Sequence, residues 1–152
     1  MSVESRLKEL DIVLPAVATP AGAYVPAVIS GNLVFTAGQI PLVDGKLMAE
    51  GKVGAEISPE QGREIARRCA LNAIAAVKSV IGDLDRVKKV VKVVGFVASS
   101  PDFTGQPGVI NGASELLEQV FGEAGIHARS AVGVAVLPLD APVEVELIVE
   151  FE

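Results

Sequence analysis

The chain has 152 residues, half of them hydrophobic and 21% charged, with a formal net charge of −6 at pH 7. That length and apolar fraction suit one compact domain, spanning 1–152, and leave no room for a second. The acidic balance and the few aromatic residues (five Phe, one Tyr, no Trp) argue against a nucleic-acid partner, which needs cationic surface and stacking platforms.

Near the start, Val3, Leu7 and Leu10 recur at helical spacing among Glu4, Arg6, Lys8 and Glu9, which predicts a short amphipathic helix within 2–12, an extra at the N-terminus. Charges so placed interrupt the apolar run a signal peptide needs, and apolar stretches such as 131–139 are far shorter than a bilayer span, so the cytosol is the expected location. The Pro/Gly cluster 15–26 reads as extended chain leading to a hairpin, 28–29 and 33–37, joined through Ser30-Gly31-Asn32. A second turn at Asp44-Gly45 connects two short apolar pieces, 40–43 and 46–48.

Ser58, Pro59 and Gln61 form a capping-box signature that opens the first long helix, which should end near Gly82. Ile65, Cys69, Ala73, Ala76, Val77 and Val80 make its apolar stripe, which places the only cysteine in the core. Residues 87–97 are rich in β-branched side chains and predict a central strand. Residues 104–108 read as a loop, followed by a second helix over 109–123 with Ile110, Ala113, Leu116, Leu117 and Val120 on one side. Two closing strands, 131–137 and 143–151, flank a Pro-rich turn; in the last, Val143, Val145, Leu147, Val149 and Phe151 alternate with Glu144, Glu146, Ile148 and Glu150. The order implies an α+β fold, a mixed sheet with two main helices packed on one face. The other face would still expose apolar side chains such as Ile148, so self-association is expected to cover it.

Phosphate-binding glycine loops, paired zinc-binding histidines, cysteine clusters and G-x-S-x-G are all absent, so neither a metal nor a cofactor is expected. His127, the only histidine, reads first as a packing residue and second as a catalytic one. Arg129 is the only charge in the apolar stretch that follows it; its planar fork suits either a structural carboxylate or an anionic ligand. Glu144 alone reads as an exposed strand glutamate, and Tyr24 as a loop anchor.

Taken together, these segments resemble the reactive intermediate deaminase (Rid, or YjgF) family over roughly 15–151. Residues 20–25, with Tyr24, are similar to the family's entry segment, and Phe35-Thr36-Ala37-Gly38-Gln39-Ile40-Pro41 to its Ser-Gly-Gln-Ile-Pro motif, with Ala37 in the serine's place. The strand ending Val94-Gly95-Phe96-Val97, the Asp102-Phe103 step and Asn111 also fit. The most specific match is Ala128-Arg129-Ser130-Ala131-Val132, then Leu137-Pro138, then Val143-Glu144-Val145-Glu146.

The resemblance implies a chorismate-mutase-like fold assembled as a homotrimer, with clefts between subunits. It implies hydrolysis of 2-imino acids to 2-ketoacids and ammonia: Arg129 holds the substrate carboxylate, and Glu144 positions the attacking water with the Ala131 carbonyl. Tyr24, Gly38 and Asn111 line the pocket. Ala37 lacks a hydroxyl that could bind the carboxylate, Ala131 replaces a frequent cysteine, and the N-terminal helix and residues 105–108 suggest a distinct subgroup. The competing reading is a non-catalytic trimer that binds a small carboxylate or ketoacid. An endoribonuclease is disfavoured by the acidic surface, and no membrane partner is expected.

Overall fold

The structure is a computed structural model that describes all 152 residues. Ser2 caps α1 (Val3–Glu9) by accepting from the Ser5 amide at 3.1 Å, and Leu7 is the residue this helix buries. A non-helical segment leads to the hairpin β1 (Ala27–Ser30) and β2 (Leu33–Thr36), then to the small ribbon β3 (Leu42–Val43) and β4 (Lys46–Leu47). The capping box at Ser58 and Gln61 starts α2 (Pro59–Ile81), and Gly82 ends it at φ 82°. There follow β5 (Val87–Ala98), α3 (Gln106–Phe121), β6 (Ala128–Val134) and β7 (Val143–Phe151). No helix is long and apolar enough to cross a membrane.

The five long strands are ordered β1-β2-β7-β5-β6; β5 and β6 are parallel, and every other pair is antiparallel. α3 makes the crossover that a parallel pair requires. α2 and α3 lie together on one face, where Val143, Val145, Leu147 and Val149 of β7 meet Ile65, Ala73, Ile110 and Leu117 in a single core. Cys69 is buried there, its Sγ 3.5 Å from the Val143 carbonyl. The fold is α+β with a mixed sheet, as the element order implies.

The structure differs from the sequence reading most at β5, α3 and β6. β5 is interior, but the middle strand is β7, because the N-terminal hairpin adds to β7 and not to β5. α3 begins at Gln106, so 106–108 are its first turn and not a loop. Pro107 suggests a break, yet in the first turn of a helix its missing N–H has no partner to lose. β6 starts at Ala128, three residues earlier than expected, because pairing to Lys92 through Ala98 of β5 carries Arg129 and Ser130 into the ladder.

The two helices approach closely at Gly112, where an added Cβ would collide with the Arg63 carbonyl oxygen of α2. Backbone cannot move aside as a side-chain tip can. Gly112→Ala is therefore expected to destabilise the protein by about 3 kcal/mol, lowering its melting temperature by roughly 10 °C in a thermal melt.

The face opposite the helices is open. Val28, Phe35 and Val132 on it are each more than a third exposed, at 50%, 38% and 43%, alongside Ile148, Val94 and Phe96.

Candidate active site

Glu144 lies on β7, where alternation turns it to the open face between buried Val143 and Val145. Its surroundings are set by an irregularity in the neighbouring strand. Leu33 to Phe35 pair with Glu150 to Ile148, but the next contact, Gln39 with Val145, is one residue out of that register. An extra residue is accommodated across Thr36 to Gly38, as in a β-bulge. The Thr36 hydroxyl accepts from the Leu147 amide at 2.9 Å, satisfying a donor the bulge would strand. Gln39 is stitched to Val145 by backbone bonds of 2.8 and 3.0 Å, and its side chain donates to the Ala37 carbonyl at 3.1 Å.

The bulge presents Gly38 to Glu144. A Cβ on Gly38 would sit 2.6 Å from Glu144 Oε2. Tyr24, Val25, Phe35 and Ala37 complete an open groove around the carboxylate. Glu144 makes no hydrogen bond or ion pair, and burial first, then the nearby charge of Glu146, push its pKa above the ordinary 4.5. Tyr24 is half exposed, its hydroxyl accepting from the Ala21 amide at 3.2 Å, so its own turn holds it at the rim. Gly38→Ala is expected to fold, since the obstructing atoms are the end of a flexible side chain, but to turn Glu144 out of the groove. A melting temperature within a few degrees of wild type, together with at least a tenfold loss of any turnover, is the expected pair of measurements.

Arg129 is placed differently. It pairs with Val93 of β5, which pairs with Leu147 of β7, and both neighbours are buried beneath the helices. Its side chain accordingly turns toward α3: Nη1 donates to Ser114 Oγ at 3.1 Å and Nη2 to the Pro107 carbonyl at 3.0 Å. No carboxylate lies within 4.0 Å of it. Asn111 sits on the same helical stripe as Pro107 and Ser114, and Ala131 follows Arg129 on the same side of β6. His127 is joined to this group, its Nε2 2.8 Å from Ser114 Oγ and its Nδ1 2.6 Å from the Gly125 carbonyl.

The six residues singled out in the sequence therefore fall into two groups. Tyr24, Gly38 and Glu144 are together on the open face; Arg129, Asn111 and Ala131 are together at the edge of the helical face. Glu144 pairs with Phe96, three residues along β5 from Val93, and β5 separates β7 from β6. Their Cα atoms are thus about 10 Å apart across the strands and about 10 Å apart along them, with side chains on opposite faces. No small ligand touches both within one chain.

Sequence reasoning missed Ser114 and the Pro107 carbonyl as partners of Arg129. Their only trace was the shared parity of His127 and Arg129, two residues apart at the start of a strand. No group of three or more His, Cys, Asp or Glu side chains is arranged to hold a metal ion. Cys69 is an unsuitable nucleophile, because complete burial pushes its thiol far above its ordinary range.

The family model described as "YjgF/chorismate_mutase-like, putative endoribonuclease" matches residues 4–151. Protein TCP17 of Trypanosoma cruzi is 49% identical over 149 residues, covering 97% of this chain and 93% of its own. A 2-iminobutanoate/2-iminopropanoate deaminase of Dermatophagoides farinae is 33% identical over 139 residues, covering 91% and 93%. Among solved structures, Escherichia coli TdcF with bound serine superposes with a TM-score of 0.64 at 27% identity, covering 92% of this chain and 96% of that one. A match over nearly the whole chain, at these identities and in this fold, means that the chain belongs to the YjgF/chorismate-mutase-like family, to which the reactive intermediate deaminases also belong.

Proposed function

We propose that this protein is an imine deaminase whose site is completed by a second copy of the chain, one copy supplying Arg129 and the next Glu144. The observation that carries this reading is the disposition of two uncommitted charges, a guanidinium without a carboxylate partner and a half-buried carboxylate without a cation. An ordinary structural ion pair would join such groups; here they lie on opposite faces of one sheet, each beside small or polar residues. The exposed Val28, Phe35 and Val132 give the open face a reason to be covered by another subunit. The naming of a relative as a 2-iminobutanoate/2-iminopropanoate deaminase supports the substrate class.

The chemistry asks little of the protein. Arg129 holds the carboxylate of the 2-imino acid in a bidentate contact. Glu144, ionised, accepts a hydrogen bond from a water and turns its lone pair to the imine carbon, which is already electrophilic. Water adds across C=N with one proton passing to the nitrogen; the carbinolamine hydroxyl then gives its proton to the amine, which leaves as ammonia as C=O forms, giving the 2-ketoacid. The test is to generate 2-iminobutanoate or 2-iminopropanoate in situ with a threonine dehydratase or an amino acid oxidase and to measure ketoacid release against a blank. Release no faster than the blank would overturn the reading. Chelators and dialysis are expected to leave the rate unchanged.

A trimer is the assembly proposed, and light scattering at micromolar concentration is expected to report three chains. A clean monomer would leave each half-site without its complement.

The second reading, a trimer that binds a small carboxylate without turning it over, draws on the same unpaired Arg129 and on the serine in the TdcF structure. It differs in having no use for Glu144. Cleavage of RNA is disfavoured by the net charge of −6 and the scarcity of aromatic side chains.

A further inference from the structure

We infer that Ser114 and His127 form a hydrogen-bond relay that holds the Arg129 guanidinium in its ligand-binding orientation, and that they are positioning residues for the carboxylate site; the inference rests on the deaminase reading above. The relay can be followed atom by atom. The Gly125 carbonyl can only accept, so in a neutral imidazole the proton is on His127 Nδ1, 2.6 Å away. Nε2 is then the acceptor, and the Ser114 hydroxyl donates to it at 2.8 Å. That commits the hydroxyl hydrogen and leaves the Ser114 oxygen lone pairs to receive Arg129 Nη1 at 3.1 Å. Every donor meets one acceptor, and for a neutral imidazole the direction of the whole chain follows from one backbone carbonyl.

The Pro107 carbonyl takes a second guanidinium hydrogen, from Nη2 at 3.0 Å. Two bonds to fixed acceptors, one on each terminal nitrogen, define both the position and the plane of the group. Three of its five N–H donors, Nε–H among them, remain for a ligand. A flexible arginine would lose side-chain freedom on binding a carboxylate; one already seated has lost it on folding. Both acceptors are neutral, so the relay orients the charge without cancelling it. A carboxylate in the place of Ser114 would hold the arginine as firmly and would neutralise the charge a ligand needs.

His127 is the only histidine, so in protein labelled with nitrogen-15 its two ring signals need no residue assignment, and their couplings to the ring C–H protons tell Nδ1 from Nε2. The relay requires the Nδ1–H tautomer in the wild-type protein, and titration with 2-ketobutyrate, a stable carboxylate with a product's shape, is expected to shift the ring signals. Ser114→Ala is expected to weaken 2-ketobutyrate binding about tenfold and to broaden the Arg129 Nε–H signal. Its rate at saturating imine should stay within about twofold, because an interaction equal in ground and transition states moves KM and not kcat. Ser114→Thr, which keeps the hydroxyl, and His127→Gln, which keeps an acceptor near the Nε2 position, are expected to restore binding to within about threefold, whereas His127→Leu should resemble Ser114→Ala.

An Nε2–H tautomer in the wild type, or unchanged affinity and an unchanged Arg129 signal in both Ser114→Ala and His127→Leu, would overturn the relay while leaving the deaminase reading intact. A wild-type protein that neither binds 2-ketobutyrate nor releases ketoacid would overturn that reading, and the relay's role with it. If Ser114→Ala fails to fold, the wild-type tautomer and the His127→Gln and His127→Leu pair still decide.

Discussion

Glu144→Gln is expected to lower imine turnover at least a hundredfold, the scale on which a positioned acid or base contributes, and at the same time to raise the melting temperature at pH 7. The two effects have one cause. Burial, assisted by Glu146, pushes the Glu144 pKa above 4.5 in the folded chain, whereas the unfolded chain leaves it near that value. Between the two values the native state binds more protons than the unfolded state, so stability is full below the unfolded pKa and declines as pH rises through the folded one. At pH 7 the single chain thus carries a charge its own surroundings disfavour, and glutamine removes it; an Arg129 brought to the site by a second copy would offset part of that gain. The stabilisation should shrink toward zero when the melts are repeated near pH 4.

Activity runs the other way. The ionised carboxylate is the form that accepts a bond from water, so kcat/KM is expected to rise with pH along an acid limb set by Glu144. Residues held in an unfavourable state are a common mark of function, because selection for stability alone would replace them. A Glu144→Gln protein that turns over imines within a few fold of wild type would show that the carboxylate orients no water. The carboxylate-binding reading would then be the better one.

Much of the fold was legible because it depends on local signals. The capping box at Ser58 and Gln61 and the alternation from Val143 to Phe151 name a helix start and a strand face without reference to anything distant. The misplacements came where tertiary pairing decides. Ala128 to Ser130 join β6 because β5 offers partners for them, and Gln106 to Gly108 join α3 although a Pro and two Gly occupy 105–108.

The sequence named candidate residues and not their arrangement. Which face Arg129 takes relative to Glu144 depends on the register of β6 on β5 and of β5 on β7, and the second of these shifts twice, between Val87 and Lys89 and between Val90 and Lys92. A single slip would move a whole strand's side chains to the other face. The bulge at Thr36 to Gly38 is similarly hidden, since only the pairing of Gln39 with Val145 reveals it. Nothing in the chain's order joins Ser114 to Arg129, fifteen residues away and on a different element.

Arg129→Ala is expected to leave the protein folded, lose about 1 kcal/mol of stability, and reduce kcat/KM by about 30-fold to several thousandfold. The small structural loss follows from its partners. Ser114 keeps its bond to His127, and the Pro107 carbonyl belongs to the first turn of a helix, so truncation strands no opposite charge within the chain. A buried ion pair deprived of one member would instead lose about 3 to 5 kcal/mol, which a melt distinguishes readily. The large functional loss follows from the guanidinium's freedom to take a ligand carboxylate, an interaction worth about 2 to 5 kcal/mol when one partner is removed. Arg129→Lys should fall between the two, because an ammonium keeps the charge but cannot bond Ser114, the Pro107 carbonyl and a bidentate ligand from one planar group. Melting temperature and ketoacid release measured on the same preparations decide the matter: a folded and fully active Arg129→Ala protein would remove the arginine from the site, and with it the reason for bringing a second copy's Glu144 to this edge of the sheet.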